Sequence, residues 1–205
     1  MMKNIIFDLG VVLLNIDFQK TMDAFKKLGA PDIDRFFSVN AQVDFFDEFE
    51  KGLITPEEFR EEIRKFIKPD STDAMIDEAW NMMILGFPTK RINFLISCKT
   101  KYRTFLLSNT NAIHFPVYNK QLKEKFQIND LSDLFEKAYY SYRLGFRKPD
   151  MEIFELVIKE NNLIPEETLF IDDSPMHIAT ANKFGIKTFL LEPSKTLMDA
   201  IKDFK

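Results

Sequence analysis

Short apolar runs that each end in a polar or turn residue do most to restrict this fold. Each is long enough for a buried strand and too short for a globular helix. Asn4-Ile-Ile-Phe-Asp8 is the first, closing on a carboxylate with Gly10 just beyond. Similar runs lie at Arg103–Leu107, Thr168–Ile171 and Lys187–Leu191, and Lys137–Ser141 is a weaker fifth candidate. Segments with helical spacing separate them. The alternation predicts βα units and an α/β fold whose sheet is mainly parallel.

The stretch from Asp17 to about Phe87 breaks this rhythm. It offers no convincing strand, and helical patterns run through 18–28, 43–50, 55–67 and 72–85. Thr55-Pro56-Glu57-Glu58 supplies a capping residue, a proline at the first helical position and acids in the first turn. Gly52 and Gly86 punctuate the segment. Residues 17–87 are therefore expected to be a helical insertion in a sheet domain made of 1–16 and 88–205.

Composition narrows the function classes. A 205-residue chain with 45% hydrophobic and 29% charged residues has the balance of a soluble globular protein. The net charge of −4, with acids and bases interspersed, excludes the basic stripe that a nucleic-acid partner needs. Cys98 is the single cysteine, so no internal disulfide is possible and a reducing compartment is the simpler reading. Asp8 interrupts the apolar run after Lys3, and no stretch approaches the roughly 20 apolar residues of a membrane span. The expectation is a cytoplasmic monomer or homodimer with neither nucleic acid nor membrane as partner. The 22 phenylalanines favour a well-filled core, with a pocket wall as a second use.

Four short motifs carry the chemistry, three of them at or just beyond strand ends, the edge where open parallel sheets bind ligands. Phe7-Asp8-Leu9-Gly10 puts a carboxylate at the end of a buried strand, which is costly unless a cation meets it. Gly10 lets the backbone turn closely enough for its carbonyl to face the same metal. Leu107-Ser108-Asn109-Thr110-Asn111 gathers hydroxyl, amide and N–H donors, as a phosphate-binding turn requires. Arg147-Lys148-Pro149 fixes a lysine just before a helix start, and Phe170-Ile171-Asp172-Asp173-Ser174 ends a strand in adjacent carboxylates.

In order, spacing and element context these motifs resemble those of the haloacid dehalogenase superfamily over essentially the whole chain. The resemblance implies a Rossmann-like parallel sheet and makes residues 17–87 a C1-type helical cap. It implies that Asp8 attacks phosphorus and forms an aspartyl-phosphate, while Ser108 and Asn109 hold the phosphoryl oxygens. Lys148 would bridge phosphate and nucleophile, and Asp172 would orient water or Lys148. Asp8, Asp173 and the Gly10 carbonyl would ligate Mg²⁺, since Lys148 alone cannot balance three carboxylates beside a phosphate dianion. Asp-Leu-Gly-x-Val, Ser-Asn-Thr-Asn and Arg-Lys-Pro look most like the branch containing α-D-glucose-1-phosphate phosphatase. The implied substrate is a small phosphorylated metabolite, a sugar phosphate such as glucose 1-phosphate first.

Two positions depart from the family pattern. Gly10 stands where most such phosphatases carry a second aspartate as general acid and base, a loss of about 10²–10⁴-fold unless compensated. Substrates with a readily departing leaving group would suffer least. His177 stands where relatives commonly have Asn. Two rival functions remain open here: a metal-free dehalogenase, against which Asp172-Asp173 speaks, and a catalytically weak phosphate-binding protein. Plainer readings stay open too. Asp172-Asp173 also suits a helix cap. His114 fits a structural or solvent-facing place better than a donor to substrate. Phe45, Phe46 and Phe49 share a helical face, as cap core first and pocket wall second, and Trp80 and Cys98 read as packing residues. Glu50 and Lys51 before Gly52 form a candidate turn dipping toward the site.

Overall fold

The computed structural model describes residues 1–31, 33 and 44–202. Five of the apolar runs become strands of one parallel sheet: β1 (Asn4–Phe7), β4 (Arg103–Ser108), β5 (Lys137–Tyr140), β6 (Thr168–Asp172) and β7 (Lys187–Leu190). Their order is β5-β4-β1-β6-β7, so β1 sits at the centre. Burial on both faces explains why these strands are almost continuously apolar rather than alternating. Alternate side chains serve opposite layers. Ile5, Phe7, Leu106 and Ile171 enter one cluster with Ile92 and Leu95 of α5 (Thr89–Lys99) and Leu122 of α6 (His114–Phe126). Ile6, Phe105 and Phe170 enter the other, with Phe154 of α7 (Met151–Glu160) and Ala181 of α8 (Pro175–Lys183). Each buried Ile, Leu or Phe among these contributes about 1.5–3 kcal/mol. A short α9 (Leu197–Lys202) follows β7 and packs on α5.

Register decides where the chemistry lies. Phe7 pairs with Leu106 on one side and Ile171 on the other, and Ser108 pairs with Tyr140. Asp8, Ser108 and Asp172 therefore emerge together at the carboxyl edge of the sheet.

Between β1 and α5 lie four helices among the described residues: α1 (Phe18–Lys27), α2 (Asp44–Lys51), α3 (Pro56–Arg64) and α4 (Asp73–Asn81). Their starts follow from local chemistry. The Asp17 carboxylate accepts the Gln19 N–H at 3.0 Å. Thr55 and Glu58 form a reciprocal capping box, and the Thr72 hydroxyl accepts the Met75 N–H at 3.3 Å. Val43, the first residue of the expected 43–50 helix, lies outside the described residues.

One expectation needs correction. The 72–85 helix ends at Asn81, and a strand follows where none was expected. β2 (Asn15–Ile16) and β3 (Ile84–Gly86) pair antiparallel at the root of the helical segment, with Asn15 opposite Gly86. Met82-Met83-Ile84-Leu85 is compatible with either period, and only the distant partner makes it extended. The Thr21 hydroxyl ties α1 to the end of α4, donating to the Trp80 carbonyl and accepting the Met83 N–H, each at 3.0 Å. The helices meet over stacked rings, Phe49 on Phe59 at 4.2 Å and Phe46 on Trp80 at 5.4 Å. These rings belong to the same apolar cluster as one face of the sheet. Among the described residues no helix is long and apolar enough to cross a membrane.

Just past the end of α2 the chain makes a close backbone approach. Gly52 has φ +70°, and a Cβ there would lie 2.0 Å from the Tyr142 carbonyl oxygen. Gly52→Ala should therefore destabilise the protein by more than about 1 kcal/mol. Urea unfolding of the two proteins checks this, and a shift under 0.5 kcal/mol would contradict it.

Candidate active site

Lys148, at the carboxyl edge of the sheet, is fully buried, with no exposed surface. Its Nζ donates to Asp8 Oδ1 at 2.6 Å and to Asp172 Oδ2 at 2.7 Å. Burial works against the ammonium charge, yet Asp172 and Asp8 outweigh it and raise its pKa above the ordinary lysine range. The position of this side chain is fixed from behind by Asn109. Its amide nitrogen donates to the Lys148 carbonyl at 2.8 Å, and its amide oxygen accepts the Lys148 N–H at 2.8 Å.

The carboxylates do not share their surroundings equally. Burial pushes the Asp8 carboxyl up to about 7; Lys148 opposes this, while Asp172 and Asp173 add to it. Asp172 is also buried, but Lys148 and a hydrogen bond from His177 overcome that and hold it down at about 2. His177 Nδ1 lies 2.9 Å from Asp172 Oδ1, which also accepts the Ser174 N–H at 2.8 Å. Burial lowers the His177 pKa against the pull of Asp172, so the ring donates through Nδ1–H as a neutral imidazole. Asp173 is raised by burial and by Asp172. Oxygens of Asp8, Asp172 and Asp173 come within 4.8 Å of one another.

Gly10 follows Asp8 into a tight turn. Its carbonyl accepts the Val12 N–H, and Val11 at the corner has φ 58°. A Cβ at Gly10 would fall 2.8 Å from Cδ1 of Ile16, so the space of a larger side chain is filled by Ile16. The Ser108–Asn111 turn is braced in several directions. Ser141 Oγ donates to the Thr110 carbonyl and accepts its N–H, both at 3.0 Å. Asn111 Oδ1 accepts the N–H groups of Ile113 and His114, at 3.1 and 3.0 Å, and so starts α6. Ser108 is 1% exposed and faces a cavity of about 440 Å³ that Gly10, Asn109 and Ser174 also line.

Sequence reasoning missed Asp47, Glu50 and Arg147 as a group. Arg147 Nε lies 2.9 Å from Glu50 Oε2, and its Nη1 contacts Asp47. Burial raises the Glu50 pKa, with Arg147 opposing. Lys51 pairs with Asp150 at 2.9 Å, so the turn before Gly52 does meet the carboxyl edge of the sheet. Ser141 and His177 also gained partners that local sequence does not announce. His114 is structural in its contacts: it stacks on Trp80 at 5.0 Å, and its Nδ1 lies 2.8 Å from Asn81 Oδ1.

Comparison with known proteins identifies the family. The model of the haloacid dehalogenase-like hydrolases matches residues 112–191, which include Lys148, Asp172 and Asp173. D-ribitol-5-phosphate phosphatase of Bacteroides thetaiotaomicron is 34% identical over 194 residues, covering 92% of this chain and 91% of that protein. The chain belongs to the haloacid dehalogenase-like hydrolase family. A HAD family enzyme of the same organism, crystallised with magnesium and inorganic phosphate, superposes with a TM-score of 0.86 and 36% identity over 100% of both chains. A predicted HAD-like family hydrolase of Porphyromonas gingivalis gives a TM-score of 0.89 at 31% identity, over 99% and 97% of the two chains. The sheet order and flanking helices of this HAD-like hydrolase are thus those of its family.

Two outcomes follow for the free protein. Lys148→Met leaves two buried carboxylates without their cation and should cost about 3–5 kcal/mol in chemical denaturation. Burial lowers the His114 pKa to about 3. The unfolded chain then binds a proton near pH 6.5 that the folded chain refuses, so His114 makes stability fall as pH drops from about 6.5 toward 3. His114→Gln should flatten that part of the stability–pH curve, and an unchanged slope would contradict the assignment.

Proposed function

We propose that this chain is a Mg²⁺-dependent phosphoric monoester hydrolase that passes the phosphoryl group of a small phosphorylated metabolite through Asp8. The observation that carries the reading is the buried Lys148 ammonium held between Asp8 and Asp172, with Asp173 alongside. Three carboxylates face one ammonium, and burial pushes Asp8 up to about 7, with Asp172 and Asp173 adding to the rise against Lys148. The donor set consists of hard oxygens, which suits a hard dication. Asp8, Asp173 and the Gly10 carbonyl would hold Mg²⁺, with Asp172 close by. When bound, the ion supplies the charge that lets a phosphate dianion approach these acids.

The chain's own groups divide the remaining work. An Asp8 oxygen attacks phosphorus, the ester P–O bond breaks, and the alcohol oxygen leaves with the electron pair. Water then cleaves the aspartyl-phosphate, returning Asp8 and releasing inorganic phosphate. Ser108 and the Asn109 backbone cradle phosphoryl oxygens, and Lys148 neutralises charge at the nucleophile. Because the Asn109 side chain is taken up by Lys148, it serves the phosphate by fixing that lysine. Asp172, oriented by His177, holds Lys148 in place. Helices α1–α4, within residues 17–87, act as the cap over a catalytic core of 1–16 and 88–205 and exclude bulk water.

The relative's name points to a sugar-alcohol phosphate, and the sequence resemblance pointed to a hexose phosphate such as glucose 1-phosphate. Both are small monoesters and belong in the assay. Phosphate release from a monoester panel should require Mg²⁺, stop in EDTA, and fall by at least about 10³-fold in Asp8→Asn. Equal activity in EDTA, or no hydrolysis of any ester, would overturn the proposal. A second outcome concerns Gly10. Gly10→Asp combined with Ile16→Val, which removes the methyl that blocks a Cβ, should raise turnover of alkyl phosphates by roughly 10²-fold. Steady-state kcat on an alkyl ester measures this, and an unchanged value would rule out a missing acid as the limit on that substrate.

A further inference from the structure

The cavity beside Asp8 is chemically two-ended. Its polar wall comprises Ser108, Asn109, Thr110 and Ser174, together with the paired Glu50 and Arg147. Arg147 adjoins Lys148 in the chain, and Glu50 feels the Lys148 charge, so this pair belongs to the phosphate end. Among the described residues the rest of the lining is largely apolar: Leu14, Ile16, Met22, Phe46, Trp80 and Met83 form its main wall, with His114 and Tyr118 beside them.

Several polar groups near that wall spend bonds within the protein. Thr21, behind it, is used by Trp80 and Met83, and His114 presents a ring stacked on Trp80 with Nδ1 committed to Asn81. A polyhydroxylated body placed there would give up its water for few replacement partners, chiefly the Tyr118 hydroxyl and the His114 nitrogen not used by Asn81. An aromatic body would meet ring edges, since Phe46, Trp80 and His114 stack in one column, and edge-to-face packing on such edges is favourable.

A separate observation points the same way. Ile16 occupies the space beside Gly10 where an acid would stand to protonate the leaving oxygen. An ester whose oxygen departs as a stable anion, as an aryl ester's does, has least need of that proton.

Resting on the phosphatase reading above, we propose that this site prefers monoesters with an apolar, aromatic organic part over sugar and polyol phosphates. Phe46 and Trp80 are the selecting surfaces. In hydrolysis the P–O bond breaks, the phenolate oxygen keeps the electron pair, and water later supplies its proton.

The test separates fit from leaving-group reactivity. With Mg²⁺ present, kcat/KM is measured for naphthyl phosphate, a medium-chain alkyl phosphate, glucose 1-phosphate and ribitol 5-phosphate. Competitive binding is measured in parallel for naphthylphosphonate and a polyhydroxyalkyl phosphonate of equal heavy-atom count, neither of which can be hydrolysed. The aryl ester should exceed both sugar esters by at least tenfold, and the arylphosphonate should bind at least tenfold more tightly. Met22→Gln and Met83→Gln, each checked for folding by circular dichroism, should shrink the binding ratio several-fold. A polyhydroxyalkyl phosphonate that binds as well as the aryl one would overturn the inference and leave the phosphatase reading intact. Failure to hydrolyse every ester would instead sink the phosphatase reading, and the phosphonate ranking would still decide the preference.

Discussion

The carboxyl edge of this molecule is organised by one buried ammonium. Lys148 is placed between two strands' worth of acid, Asp8 after β1 and Asp172 at the end of β6. Neither carboxylate is tolerable in that interior without it, and its own charge is tolerable only because of them. Everything nearby is arranged to keep that exchange in register. Asn109 grips the lysine backbone from the end of β4, Ser141 braces the turn that carries Asn109, and His177 holds Asp172 from α8. Five side chains from separate elements are thus committed to the placement of one nitrogen atom.

Much of this was legible in the sequence because it is local. A strand that ends in Asp, Ser or paired Asp announces both its element and its chemistry within five or six residues. The parallel sheet, the edge on which Asp8, Ser108 and Asp172 meet, and the helix starts at Thr55 and Thr72 all follow from such short-range rules. What stayed hidden depends on distance along the chain. β3 is extended only because Asn15–Ile16 lies beside it. Glu50 reads only as part of a turn dipping toward the site, and Asp47 carries no signal, until Arg147, about a hundred residues on, is brought against them. His177 reads as an oddity until its ring is seen against Asp172.

The acids divide into distinct environments for a related reason. Asp172 has a cation, an imidazole and a backbone N–H, and it stays charged well below neutrality. Asp8 shares that same cation, but burial first, and then the negative charge of Asp172 and Asp173, pushes its carboxyl up to about 7. Identical side chains thus become a steady anchor and a group whose charge depends on what cation joins it.

The contact between Gly52 and the Tyr142 carbonyl has a consequence for how this chain can drift in sequence. The partner atom is backbone, so any residue at position 142 presents it equally well. As far as this contact is concerned, position 142 is free to vary, while position 52 admits no side chain at all. Two touching residues therefore live under opposite rules. Covariation between them would be absent, and a contact that fixes where α2 meets the sheet domain would be invisible to any method that looks for paired change.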